Sequence, residues 1–177
     1  MSATSKLHKK SSPESATVYI VTCSTSKFKQ LKAKQQPSDE SGDTIEHLAA
    51  NAGHRISGRK LISDSKPMIR KVVREAFSNR HVDAVIITGG TGLSSTDVTF
   101  EAVSPMLDRE IPGFGEIFRR ISFDEIGSAA MMSRAFAGTM KGKAVFCLPG
   151  SPNAVKTAME RLILPELGHL IGLARGP

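Results

Sequence analysis

The chain has 177 residues, 40% of them hydrophobic and 23% charged, a balance that suits one domain with a full core and excludes wholesale disorder. The formal net charge of +7 points first to nucleic acid or a membrane surface, but the excess is local. Residues 1–37 hold seven Lys against Glu14 alone, whereas the other 140 hold 17 basic and 16 acidic groups. No aromatic-studded basic face accompanies the lysines, so nucleic acid is a disfavoured partner. No apolar run reaches the length of a membrane span and no signal-peptide core opens the chain, so a cytoplasmic protein with no membrane partner is the expectation.

Residues 1–16 are polar and lysine-bearing without periodicity, and are expected to form a disordered basic tail, with 17–177 as a single domain. Residues 17–23 are β-branched and continuously apolar, the pattern of a strand covered on both faces. Residues 24–40, with Lys27, Lys29, Lys32, Lys34 and no apolar stripe, predict a long loop, which in a compact domain is functional or disordered. A helix then opens at Ser41-Gly42-Asp43-Thr44, presents Ile45, Leu48, Ala49 and Ala52 on one face and stops at Gly53. Residues 54–62 read as a second strand. Ser63, Asp64 and Ser65 are capping candidates ahead of Pro67, and Ile69, Val72, Val73, Ala76 and Phe77 give the stripe of an amphipathic helix.

A third buried strand, 82–88, runs into Gly89-Gly90-Thr91-Gly92, and a helix is predicted over 95–108. Residues 113–136 read as helix in two pieces, broken near Gly127. Residues 143–148 form a fourth strand, followed by Pro149-Gly150-Ser151-Pro152-Asn153 and a last helix to about Ala174, kinked at Pro165. Strands alternating with helices predict an α/β fold: a mostly parallel sheet with right-handed crossovers and helices on both faces, a three-layer α/β/α domain. Cys23 and Cys147 each close an apolar run and read as buried, reduced thiols, with a reactive nucleophile as the alternative. The five histidines show no metal-ligand spacing.

In an open parallel sheet, ligands bind at the carboxyl ends of the strands where strand order reverses. Ser24-Thr25, Asp64, residues 89–92 and residues 149–153 directly follow the four predicted strands, so the fold brings them to one edge. Gly89, Gly90, Thr91 and Gly92 can expose backbone N–H groups without Cβ obstruction ahead of a helix, an anion site by chemistry. A tight strand-to-helix turn explains the same residues equally well, and no Lys-Ser/Thr pair follows to make a Walker loop. Pro149, Gly150 and Ser151 repeat the logic, with Ser151 also a natural N-cap. Asp64 and Asp97, beside bound phosphates, suit Mg²⁺; alternatively each caps its helix. Glu101, one turn beyond Asp97, faces that pocket or solvent. Ser133-Arg134 offers a hydroxyl and a cation to a phosphate, or an ordinary surface Arg.

These motifs together resemble the MogA/MoaB-type molybdopterin adenylyltransferases, which include the G domain of gephyrin. The resemblance runs from about residue 17 to 167. It is carried by Ile87-Thr88-Gly89-Gly90-Thr91-Gly92, Asp97-Val98-Thr99 with Glu101-Ala102, Ile111-Pro112-Gly113-Phe114-Gly115-Glu116, Ser133-Arg134-Ala135-Phe136-Ala137-Gly138 and residues 148–155. Gly113-Phe114-Gly115-Glu116 and Ser122-Phe123-Asp124-Glu125-Ile126-Gly127 are most similar to the MoaB branch.

The resemblance implies an enzyme that joins molybdopterin to the AMP part of Mg-ATP and releases pyrophosphate. It places the two essential, metal-side aspartates on Asp64 and Asp97. Substrate contacts fall on Gly89, Gly90, Thr91, Gly92, Glu101, Ser133, Pro149, Gly150 and Ser151, and a further serine on Ser122. It also implies trimers or hexamers and a downstream molybdenum-insertion enzyme. Many relatives end the first strand in Ser-Asp where this chain has Ser24-Thr25. Some MoaB-branch members lack the activity and both aspartates, which this chain keeps. A non-catalytic pterin-binding or scaffold protein, and a basic-tail nucleic-acid binder, are the alternatives.

Overall fold

Apolar residues alternate across the central strands, and each set needs its own cover. The computed structural model describes residues 13–176. Six strands form one sheet: β1 (Thr17–Cys23), β2 (Arg55–Ile62), β3 (Ala84–Thr88), β4 (Arg109–Glu110), β5 (Phe136–Met140) and β6 (Lys143–Leu148), in the order β2-β1-β3-β6-β5-β4. β2, β1, β3 and β6 are mutually parallel; β5 runs antiparallel to β6, and β4 to β5.

Val18, Ile20, Ile86, Phe146 and Leu148 face one layer, made by α2 (Glu40–Asn51), α5 (Pro112–Ile126), α6 (Pro152–Ala158) and α7 (Leu164–Arg175). Val21, Ile87, Val145 and Cys147 face the other, made chiefly by α3 (Lys66–Ser78) and the short α4 (Thr99–Val103). Period-2 strands between two period-3.6 helix layers give the expected three-layer α/β/α domain. Each fully buried Ile or Phe contributes about 1.5–3 kcal/mol relative to exposure.

Several elements differ from the sequence expectation. The loop expected over 24–40 contains a two-turn helix, α1 (Thr25–Lys32), capped by the Ser24 hydroxyl; none of its side chains is buried, so it carries no apolar stripe to betray it. α2 starts one residue before Ser41, with the Asp39 carboxylate as its cap on the Gly42 N–H at 3.2 Å. The helix expected over 95–108 is only α4, because the Ser94 N–H is taken by the Asp97 carboxylate and Pro105 tightens the end into a 3-10 turn over Ser104–Met106.

β4 and β5 went unpredicted: Phe136-Ala137-Gly138-Thr139-Met140 has no alternation. The turn to β6 is Lys141-Gly142, both at positive φ (53° and 70°), a primed-turn geometry on a pair weaker in signal than Asn-Gly. Before Pro165 the chain stays helical through a π turn, Met159–Ile163, which absorbs the ring and the missing N–H. Of the tail expected over 1–16, most lies outside the described residues. Fixed contacts already begin at Ser15, whose hydroxyl donates to the Gly53 carbonyl at 2.8 Å, and Ala16 is buried.

Candidate active site

The strand order reverses at β1 and β3: from β1 the chain crosses to β2 on one side and later to β3 on the other. At that carboxyl edge opens a cavity of about 710 Å³, within the range of small-molecule sites. Ser24 and Thr25 after β1, Asp64 after β2, Gly89 to Gly92 after β3 and Pro149, Gly150 and Ser151 after β6 all line it. Asp97, Ser122 and Ser133 join them. The two glycine turns meet: a Cβ on Gly150 would sit 3.4 Å from the Gly89 Cα. Thr88 ties them further through its hydroxyl, which donates to the Pro149 carbonyl at 2.7 Å.

Every carbonyl of the first turn is held by protein. Gly89 O accepts the Thr99 hydroxyl at 2.8 Å and Gly90 O the Thr99 N–H at 3.0 Å. Thr91 O accepts the Arg134 N–H at 3.0 Å, and Gly92 O accepts Arg134 Nε at 2.8 Å. Among the described residues, no acceptor takes the N–H of Gly90, Thr91 or Gly92. Gly89 and Gly90 are left-handed (φ +97° and +67°), conformations that favour glycine, and a Cβ on Gly89 would collide with the Cys23 carbonyl. A turn with its acceptors consumed and its donors open is a nest for an anion.

Two carboxylates flank this turn, and neither caps its following helix, so the capping alternative falls for both. Asp64 Oδ2 accepts the Thr25 N–H and hydroxyl, each at 2.8 Å; Oδ1 is left beside Gly90, 3.0 Å from where its Cβ would lie. Thr25 therefore orients Asp64 without adding a like charge. Asp97 Oδ2 accepts the Ser94 N–H at 3.0 Å and lies 2.8 Å from a Cβ built on Gly92. Each carboxylate thus keeps one oxygen without a partner among the described residues, a hard donor set of the kind Mg²⁺ takes. Among the described residues no cluster of three or more His, Cys, Asp or Glu could hold a metal, so such an ion would complete its shell from phosphate oxygens and water.

Other expectations change. Glu101 does not line the cavity; its carboxylate pairs with Arg134 Nη1, and that bond holds it below the usual carboxylate range. Arg134 is correspondingly half-buried, its guanidinium held by protein groups. Cys23 borders the cavity, but burial pushes its thiol up to about 12, and burial raises Cys147 as well, which favours the buried, reduced thiols over a nucleophile. Sequence reasoning missed Ser41, whose hydroxyl holds the Gly150 carbonyl at 2.7 Å, and Thr22, which donates to buried Asp39 at 2.7 Å. Burial opposes the Asp39 charge, yet Arg59, Thr22 and the Gly42 N–H outweigh it and lower the carboxyl's proton affinity. Only Ser41's position in the first turn of α2, pointing at another helix start, would have signalled its role, and that needs the fold.

An open α/β sheet with a cavity at its topological switch point defines the class: α/β domains that take ligands at the carboxyl edge of a parallel sheet. Within it the chain belongs to the family described as "Probable molybdopterin binding domain", whose model matches residues 19–169. It is 44% identical over 164 residues to molybdenum cofactor biosynthesis protein B of Bacillus cereus, covering 92% of this chain and 93% of that one. A crystal structure of a molybdenum cofactor biosynthesis protein B superposes with a TM-score of 0.84 at 42% identity, over 93% of this chain and 99% of the other. The tungsten cofactor synthesizing protein MoaB from Pyrococcus furiosus gives 0.82 at 35% identity, over 92% and 99%.

Proposed function

We propose that this protein acts in molybdenum cofactor biosynthesis as a molybdopterin adenylyltransferase. The observation that carries the reading is the turn of Gly89 to Gly92, its carbonyls tied and its N–H groups open, between two carboxylates with free oxygens. A protein that only bound a pterin would need the open N–H groups but not the two carboxylates beside them. In this reading the terminal phosphate of molybdopterin attacks the α-phosphorus of ATP. A new P–O bond forms, the α–β bridging bond breaks, and its electron pair leaves on pyrophosphate.

The N–H groups of Gly90, Thr91 and Gly92 hold phosphate oxygens and meet the charge that spreads over the transferring group. Asp64 and Asp97 would hold Mg²⁺, which when bound neutralises phosphoryl charge. Ser133 and Ser122 supply hydroxyls to the substrates, and Pro149, Gly150 and Ser151 present the N-terminus of α6. The partners proposed with this reading are ATP, molybdopterin, further copies of the chain as a trimer or hexamer, and a downstream molybdenum-insertion enzyme.

Incubation with molybdopterin, ATP and Mg²⁺ tests the reading. An adenylylated pterin and stoichiometric pyrophosphate are expected. Tight pterin binding with neither product would instead identify a non-catalytic binding or scaffold protein.

A further inference from the structure

Arg134 brings a guanidinium to the glycine turn and spends it on protein. Nε donates to the Gly92 carbonyl at 2.8 Å, Nη2 to the Asp97 carbonyl at 2.9 Å, and Nη1 pairs with the Glu101 carboxylate. Its guanidinium carbon stands 5.5 Å from the Phe100 ring centroid, a cation–π distance. Its own N–H donates to Thr91 O at 3.0 Å. The strap that carries it is fastened from the far side too, where Arg119 Nη1 donates to the Ser133 carbonyl at 3.3 Å.

In a trans peptide the C=O and the following N–H point to opposite sides of one rigid plane. The Arg134 backbone N–H on Thr91 O therefore turns the Gly92 N–H away from Arg134, and the guanidinium on Gly92 O does the same for Leu93. Pinning Asp97 O fixes the backbone that carries one of the two site carboxylates. Thr99 does the same for the first half of the turn, through Gly89 O and Gly90 O.

We propose that Arg134 is a positioning residue whose guanidinium fixes the Gly92 end of the glycine turn and sets Asp97, and that Glu101 acts on the site only by orienting Arg134. A planar fork can serve two carbonyls and a carboxylate at once, and a lysine ammonium cannot hold that geometry. The proposal deepens the reading of residues 89–92 as a phosphate nest, but the clamp itself is a property of the free protein.

The test uses the full chain as Arg134→Gln, Arg134→Lys and Glu101→Gln, with amide hydrogen exchange and titration with inorganic pyrophosphate. Exchange at Ser94, Asp97 and Thr99, whose N–H groups are bonded within this unit, is expected to accelerate roughly tenfold in Arg134→Gln, the scale of one lost charged hydrogen bond. Amides of Ile86 and Ile87 in β3 should not change. Arg134→Lys should fail to restore protection, and Glu101→Gln should move the same amides in the same direction by less.

Pyrophosphate affinity is expected to fall in the order of lost protection. Unchanged exchange at those three amides in folded Arg134→Gln overturns the proposal. So does a Glu101→Gln protein that loses pyrophosphate affinity with protection intact, since Glu101 would then touch the ligand directly. If Arg134→Gln does not fold, Glu101→Gln carries the exchange test alone. If the parent binds no pyrophosphate, the nest reading fails, while the exchange result still decides the clamp.

Discussion

Asp97→Asn keeps the volume of the side chain and an oxygen for the Ser94 N–H, but removes the charge from the free oxygen. It is expected to cost about 100-fold in kcat/KM, the size of losing one preorganised electrostatic group, with Tm close to the parent's. Asp64→Asn should match it, because Thr25 can still bond the amide oxygen. A fall in Tm with turnover intact in either variant would make that residue structural. The glycines separate steric from functional effects. Gly90→Val meets both a positive φ and the Thr99 hydroxyl 2.5 Å from its Cβ, so it should unfold or loosen the turn whatever the ligand. Gly92→Ala has ordinary φ and meets only the movable end of Asp97. It should fold normally yet raise the Mg²⁺ concentration needed for half-maximal activity, and an unchanged Mg²⁺ dependence would separate Asp97 from the metal.

At the scale of the element, α1 changes the meaning of the lysine-rich segment. Lys29 and Lys32 lie in its last turn and Lys34 follows at φ +60°, whereas Lys27, in the first turn, lines the cavity. Among the described residues Lys27 is the only Lys or Arg on that lining, and it pairs with no carboxylate. Lys27→Gln is expected to reduce kcat/KM on the order of tenfold at about 0.01 M salt, with the deficit shrinking toward about 0.15 M as the Debye length falls. The triple replacement of Lys29, Lys32 and Lys34 should change it much less. Equal losses in the two proteins would return the effect to the net charge of the segment. The helix was unreadable in sequence because it buries nothing; α3 was readable because five buried side chains print its period.

For the whole molecule, His54 joins the N-terminal approach of β1 to the end of α2. Its ring Nδ1 accepts the Ala16 N–H at 3.2 Å, so it must be neutral there, and burial lowers its proton affinity below the ordinary value of 6.5. The unfolded chain then takes up the proton more readily than the folded one. Stability is unaffected above 6.5 and declines as pH falls below it. Tm measured from about pH 7.5 down to about pH 5 should drop less in His54→Gln than in the parent; identical slopes would assign the acid sensitivity to other groups.

The alternation of strands with amphipathic helices and the glycine turns after two of the strands were legible in the residues themselves. They depend on period, backbone freedom and position after a strand, all of which are local. The antiparallel edge of β5 and β4, the helix α1, the withdrawal of Glu101 from the cavity and the conversion of Arg134 into a clamp were decided only by tertiary structure. The Arg134–Glu101 pair spans 33 positions of the chain and the Ser41–Gly150 bond 109. A side chain's hydrogen-bond partner at such separation is fixed by how the layers pack, and nothing in its own neighbourhood of the sequence encodes which polar group will be waiting there.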